Sequence, residues 1–347
     1  MAIFSSNSAY LGVDIGASAI KIVELEKRGD KVSLVTYGYS ENIKELAGDG
    51  WMKNTDYLVK VIDKIYRETE ATTHLAVATL PAFSVFSSII TLRNVDKAGM
   101  AAAVEWEAKK FIPLPLEEMI LDWKIIGNKK EDSKTSSTIL LTGSPKKLVK
   151  RYVNIFRKTL VELTNLEPET FALIRALLGG DKSTVLLMEV GAANTDIFVV
   201  KEGIPMLSRS LDIGGKTISR AIATSLNISL ERAEQFKRDL GVSGGPASSD
   251  VIPHTIANTL NPMVEELKFL INLYQNKNSE KVEKIILSGG SALLPNFTKY
   301  LSEKLNLNVI VGDPWARISY QPELKPILTE IGPGFAVAVG AALREIE

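Results

Sequence analysis

Two stretches of this chain end an apolar run with an acid, one spacer residue and then Gly-Ala: Asp14-Ile15-Gly16-Ala17 and Glu189-Val190-Gly191-Ala192. A turn without Cβ bulk lets backbone N–H groups converge on an anion, the nest arrangement that holds phosphates. A carboxylate at the end of the preceding strand would stand beside those phosphates. There it could organise Mg²⁺, which takes one or two carboxylates together with waters and phosphate oxygens. One such turn alone reads as an ordinary tight hairpin; two in one chain favour the phosphate reading. Gly214-Gly215-Lys216 opens a helix, where free N–H groups and the dipole attract an anion. It is not a Walker loop, because the Gly required five residues before Gly215 is Ser210. Ser288-Gly289-Gly290-Ser291 follows an apolar strand and permits close backbone approach to a flat ligand such as adenine.

The surrounding pattern repeats as well. Each Gly-Ala turn is followed by a strand (residues 19–25 and 195–200), a polar turn with Gly (Arg28-Gly29-Asp30; Lys201-Glu202-Gly203) and a third strand. Two such hairpin units predict two half-molecules facing one ligand. Between them, helical spacing marks residues 56–68, and short strands are expected at 74–79 and 83–92. Asp96 is the expected N-cap of a helix over 101–111, ended by Pro113 and Pro115. Alternation from Met119 to Ile125 predicts a half-buried strand, and 128–136 a polar hairpin turn into strand 138–142. Ser144-Pro145 opens a basic amphipathic helix to about residue 160. Residues 82–165 thus read as a small inserted α+β unit.

The second half continues with a helix at 167–178, the second hairpin unit, and a helix from about Lys216. Ser229 caps a helix over 230–240 that stops at Gly241. Within it Glu234 and Lys237 share a face, ordinarily a surface pair. Residues 242–250 read as a Gly/Ser/Pro-rich loop, 256–274 as a long helix, 284–287 and 308–311 as strands, and 335–345 as a closing helix after Ile331-Gly332-Pro333-Gly334.

Composition bounds the function. The chain has 347 residues, enough for more than one core. It carries 41 Lys plus Arg against 41 Asp plus Glu, so no global charge points to nucleic acid or an anionic membrane. Cys is absent, which excludes thiolate metal sites and disulfides. The two His, His74 and His254, are too far apart in sequence to favour a zinc site. The amino terminus lacks a signal-peptide pattern and no run reads as a membrane span, so a soluble protein is expected.

The order of these motifs resembles the actin/Hsp70-type ATPase superfamily. GVDIGASAIKIVEL is similar to its first phosphate motif and LMEVGAANTDIFVV to its second. IGGKTISRAIA resembles the first connecting helix, LSGGSALLPNF the adenosine motif, and GPGFAVAVGAALR the second connecting helix. Within the superfamily, AVEWEAKKFIPLPLEEMILDWKII is similar to the inserted subdomain of the PilM branch, cytoplasmic proteins of the type IV pilus assembly platform. The cell-division protein FtsA is the next nearest resemblance. It carries a C-terminal membrane helix, whereas this sequence stops just after the second connecting helix.

The resemblance implies two ribonuclease-H-like halves around a nucleotide cleft, with an inserted α+β (1C, SHS2-like) subdomain. The implied division is 1–82 with 166–182 and 331–347 (1A), 83–165 (1C), 183–216 with 271–330 (2A) and 217–270 (2B). It implies ATP and Mg²⁺ as ligands. Gly16, Ala17, Ser18 and Lys21 would contact phosphates from the first turn, and Gly191, Ala192, Ala193, Asn194 and Thr195 from the second. Asp14 and Glu189 would serve the metal, Glu189 standing where the family has Asp. Gly214, Gly215 and Lys216 would lie near ribose or phosphates, Glu234 and Lys237 at ribose and adenine, and Gly289, Gly290 and Ser291 under the adenine. Glu169, with Glu167 second, is the candidate for orienting water, and turnover is expected to be slow at most.

The implied partner is the short N-terminal tail of a PilN-like membrane protein, with pilus motor ATPases as further candidates and self-association left open. Localisation would be cytoplasmic, at the inner membrane through partners. Residues 105–126 are the expected docking region, with Phe111 and Trp123 as its test positions. The alternatives are an FtsA-like filament-forming adaptor and a small-molecule kinase. The kinase needs an Asp base that no segment plainly supplies.

Overall fold

The computed structural model describes residues 8–40, 54–112, 114–131, 134–242 and 251–347. The first half opens with a meander, β1 (Ser8–Ile15), β2 (Ile20–Arg28) and β3 (Lys31–Ser40), followed by α1 (Thr55–Glu68) and β4 (Leu75–Leu80). Next come β5 (Phe86–Arg93), α2 (Met100–Ala108), β6 (Met119–Glu131), β7 (Lys134–Pro145), α3 (Lys146–Phe156), β8 (Glu162–Pro168) and α4 (Glu169–Leu178). The second half holds β9 (Val185–Val190), β10 (Thr195–Lys201), β11 (Ile204–Leu211), α5 (Gly215–Leu226), α6 (Leu230–Leu240) and α7 (Val251–Asn278). It ends with β12 (Lys284–Ser288), α8 (Phe297–Leu305) and β13 (Asn308–Val311), after which α9 (Lys325–Leu343) closes the chain.

Two five-stranded sheets have the same order, β3-β2-β1-β4-β8 and β11-β10-β9-β12-β13. In each, an antiparallel meander passes into parallel partners, β1 beside β4 and β9 beside β12. A third sheet, β5-β7-β6, has its own core around Ile90, Val104, Ile139 and Leu141. The architecture is therefore α/β with two like halves and a small inserted unit, as the motif order implied.

The apolar spacing explains the helices. In α1, Leu58, Val61, Ile62 and Ile65 are buried on one face, and Asn54 caps the start by accepting the Tyr57 N–H at 3.2 Å. From Phe335 to Leu343 the α9 helix is apolar on all sides because it is buried on all sides there. By length and composition Pro322–Leu343 could cross a membrane, but 67% of that window is buried inside the protein. Two glycines permit the packing. A Cβ on Gly12 of β1 would lie 1.8 Å from the Ala338 carbonyl oxygen, and one on Gly340 would lie 1.8 Å from that of Ala172 in α4.

Several elements differ from the sequence expectation. The α9 helix starts at Lys325 and runs through Pro333, so the Gly-Pro-Gly segment lies inside it. The Pro333 carbonyl accepts bonds from Gly289 N–H (2.8 Å) and Ser288 Oγ (3.0 Å), anchoring the end of β12 to this helix. Residues 162–168 form a strand beside β4, so Glu167 is not helical. Strand pairing extends through the expected polar turn to Glu131 and Lys134. Gly99, not Asp96, caps α2, and Asp96 accepts the Gly99 N–H at 2.7 Å. The α3 helix buries Leu148, Tyr152, Ile155 and Phe156 in the first half's core rather than in the inserted unit. Strand β8 joins the first sheet, and α7 is continuous across residue 270. Core contacts thus limit the inserted unit to about β5–β7. Pro113 and residues 243–250 of the expected 242–250 loop lie outside the described residues.

Candidate functional site

The two Gly-Ala turns have the same construction. Gly16 N–H bonds the Ala19 carbonyl at 2.9 Å, and Gly191 N–H bonds that of Asn194 at 3.0 Å. Both turns join the first two strands of their sheets. Hairpin register then sets a second acid or base opposite the first. Asp14 faces Lys21, and Glu189 faces Asp196. Lys21 Nζ donates to Asp14 Oδ2 at 3.1 Å. Asp196, 2% exposed, accepts from Asn194 Nδ2 at 2.5 Å and from Ser210 Oγ.

The electrostatics tie the two hairpins into one site. Burial works against the charge of Lys21, but Asp14, Glu189 and Glu169 outweigh it and hold the ammonium above its usual pKa. Burial, with Asp196 and Asp14 nearby, pushes Glu189 up to about 8 despite Lys21. Burial raises Asp196 to about 6 against its two hydrogen bonds. Glu169, the first residue of α4, is pushed well up by burial and by Asp14, Asp196 and Glu189. Its Oε2 accepts the Ala82 N–H at 3.0 Å. Asp14, Glu189 and Glu169 thus lie about the Lys21 ammonium, with Asp196 acting on Glu189 and Glu169 beside them. Among the described residues no group of three or more His, Cys, Asp or Glu forms a metal cage. Asp14 and Glu189 would therefore need waters and phosphate oxygens to complete a Mg²⁺ shell.

The Gly-Gly helix start closes on the second turn. Gly215 N–H bonds the Gly191 carbonyl (2.9 Å) and Lys216 N–H that of Ala192 (2.8 Å). Lys216 Nζ reaches across to the Ala17 carbonyl at 3.3 Å, so the two turns share a direct contact. Gly289 has φ +85°, and a Cβ there would stand 2.7 Å from Glu189 Oε1, so glycine is required. Gly290 is exposed with open space where a side chain would project. Ser291 N–H bonds the Val190 carbonyl at 3.1 Å, and its Oγ lies 2.6 Å from the Cβ position of Gly215.

Not every expected residue is free to act. Lys237 is 7% exposed, and its ammonium donates to the Gly215 carbonyl (3.2 Å), Ser219 Oγ (3.1 Å) and Glu234 Oε2 (2.7 Å). With all three donors engaged, it braces α5 against α6. Glu234 also accepts from Ser219 Oγ at 2.5 Å. Thr195 is fully buried and donates to the Ile213 carbonyl at 2.6 Å, a bond that holds the turn. Glu167 is gripped by Arg175 and Arg344 and carries no free carboxylate edge for water. Asp196 went unnoticed in the sequence reading, although it stands seven residues after Glu189 as Lys21 does after Asp14.

A separate cavity of about 250 Å³ lies where the inserted unit meets both halves. Its walls include Phe83 and Val85, Ser87 on β5, Phe171 on α4, and Pro205 and Ser210 on β11. No local sequence pattern marks it, because its walls come from distant segments. In the expected docking region, Trp106, Phe111, Leu114 and Ile120 are exposed, but Trp123 packs against the inserted unit's core.

A family model described as type IV pilus assembly protein PilM matches residues 12–346. The solved PilM-PilN type IV pilus biogenesis complex superposes with TM-score 0.85 at 26% identity, covering 97% of this chain and 98% of that one. The cell division protein FtsA of Bacillus subtilis is 23% identical over 367 residues, 89% of this chain and 80% of its own. MreB5 of Spiroplasma citri, solved with AMPPNP, shares the fold at TM-score 0.55 and 13% identity, covering 97% of this chain and 96% of that one.

Proposed function

The chain belongs to the PilM family of type IV pilus assembly proteins, and on that premise we propose that it is a nucleotide-binding scaffold that takes up the N-terminal tail of a PilN-like membrane protein. It would work on the cytoplasmic side of the inner membrane, held there by its partners. The observation that carries the nucleotide reading is the pair of identically built turns facing each other across the Lys216–Ala17 contact. ATP would lie with its phosphates between Gly16, Ala17, Ser18 and Lys21 on one side and Gly191, Ala192, Ala193 and Asn194 on the other. Gly289, Gly290 and Ser291 would support the adenine. Mg²⁺, held by Asp14 and Glu189 through water, would neutralise phosphate charge. Glu169 would be the group that orients water; burial and the neighbouring carboxylates push its pKa well up, which disfavours its charged form and favours slow turnover at most. Replacing Lys21 by Ala should weaken ATP binding about tenfold or more; unchanged affinity would remove the first turn from the site.

Partner binding is supported by the likeness to the PilM-PilN complex. We place the tail in the 250 Å³ cavity, where β5 and β11, edge strands of two sheets, offer an extended segment backbone partners between polar walls that carry Phe83 and Phe171. Phe83 is 59% exposed at its mouth. Phe83→Ala should weaken binding of a peptide copying the tail and leave ATP affinity unchanged, whereas Trp106→Ala should alter neither. The reverse result would move the docking surface to the exposed face of α2.

A further inference from the structure

We propose that the cavity and the phosphate cleft are coupled through Ser210 and Glu169, each of which joins a cavity wall to the cleft. This rests on the reading of the cavity as the tail site. On one wall, Ser210 Oγ donates to Asp196, its cross-strand neighbour on β10. Asp196 in turn holds Asn194 of the second turn and faces Glu189 across the hairpin. On the other wall, the Ala82 N–H donates to Glu169. Ala82 opens the tight turn that carries Phe83, closed by Ser84 N–H to Pro81 (3.0 Å) and Val85 N–H to Ala82 (3.1 Å).

The two links come from opposite halves of the molecule. Ala82 follows β4 of the first sheet, and Ser210 lies on β11, the edge of the second. The cavity's width therefore follows the angle between the halves. Phosphate and a cation entering the cleft change what Asp196 and Glu169 bond to, and each change reaches a cavity wall through one hydrogen bond. Ser210 is solvent-exposed on its strand, yet its hydroxyl turns to the buried carboxylate. It is a positioning residue and touches no expected phosphate contact itself.

The test is a titration of the complete protein with the N-terminal peptide of the PilN-like protein from the same genome, with and without Mg-ATP. Wild type should show peptide affinities that differ at least fivefold between the two conditions, and peptide should shift ATP affinity by the same factor, since coupling is reciprocal. Ser210→Ala should reduce that factor below about twofold, whatever its affinity for the peptide alone, and Ser210→Thr, which keeps the hydroxyl, should restore it. A full factor in Ser210→Ala overturns the coupling while the tail site stands, and so does wild-type binding of both ligands without mutual effect. No peptide binding in any state overturns the tail reading and the coupling with it.

Discussion

Lys21 follows Asp14, and Asp196 follows Glu189, by seven positions, and hairpin register turns that spacing into two cross-strand pairs. The first pair is an ion pair; the second puts two acids together. That asymmetry gives the site its pH dependence. Unfolded carboxylates titrate near their ordinary values, whereas Glu189 and Asp196 hold protons up to about 8 and about 6 in the folded chain. Folding therefore binds protons above the ordinary carboxylate range, and stability is lost as pH rises from about 4 through 8. The melting temperature of the nucleotide-free protein should fall between pH 5 and pH 9. Glu189→Gln, which keeps the shape without the charge, should flatten that fall and melt several degrees higher at pH 9. A wild-type curve that rises toward pH 9 would contradict the assignment. The acids before the Gly-Ala turns were legible because two copies could be aligned. The fates of Thr195 and Lys237 were not, since residue type does not reveal that internal carbonyls use up their donors.

At the scale of elements, the strong periodic helices and β12 and β13 could be read directly, because burial on one face imposes spacing. Strand β8 could not. Its residues alternate poorly, and its pairing with β4 comes from tertiary contact across the insertion. The start of α9 was hidden by Pro333, which ordinarily marks a helix boundary. Here the helix persists because it is wedged between β1 and α4, with Gly12 and Gly340 allowing contact closer than any side chain permits. Gly340→Ala should cost at least ~2 kcal/mol, because the added methyl meets the rigid Ala172 backbone. Thermal unfolding would register this as a loss of several degrees. An unchanged midpoint would mean that α4 and α9 can separate freely.

The whole molecule joins two like halves through a cleft of mismatched charge and adds a third unit at their junction. Its fold could be inferred from the order of five motifs, none decisive alone. The cavity could not be inferred, because it exists only once β5, α4 and β11 converge. The filament-forming alternative differs from the scaffold reading in how the protein should sediment. A scaffold that works through a tail partner should remain in the supernatant on ultracentrifugation with Mg-ATP at all accessible concentrations. Concentration-dependent pelleting would favour the filament-forming alternative. The central claim is that one protein binds nucleotide in the cleft and the PilN-like tail at the inserted unit. Titrating the wild-type chain with the tail peptide, in the presence and absence of Mg-ATP, tests it most directly. Saturable binding whose affinity shifts with nucleotide is the predicted result; no saturable binding in either condition would contradict it.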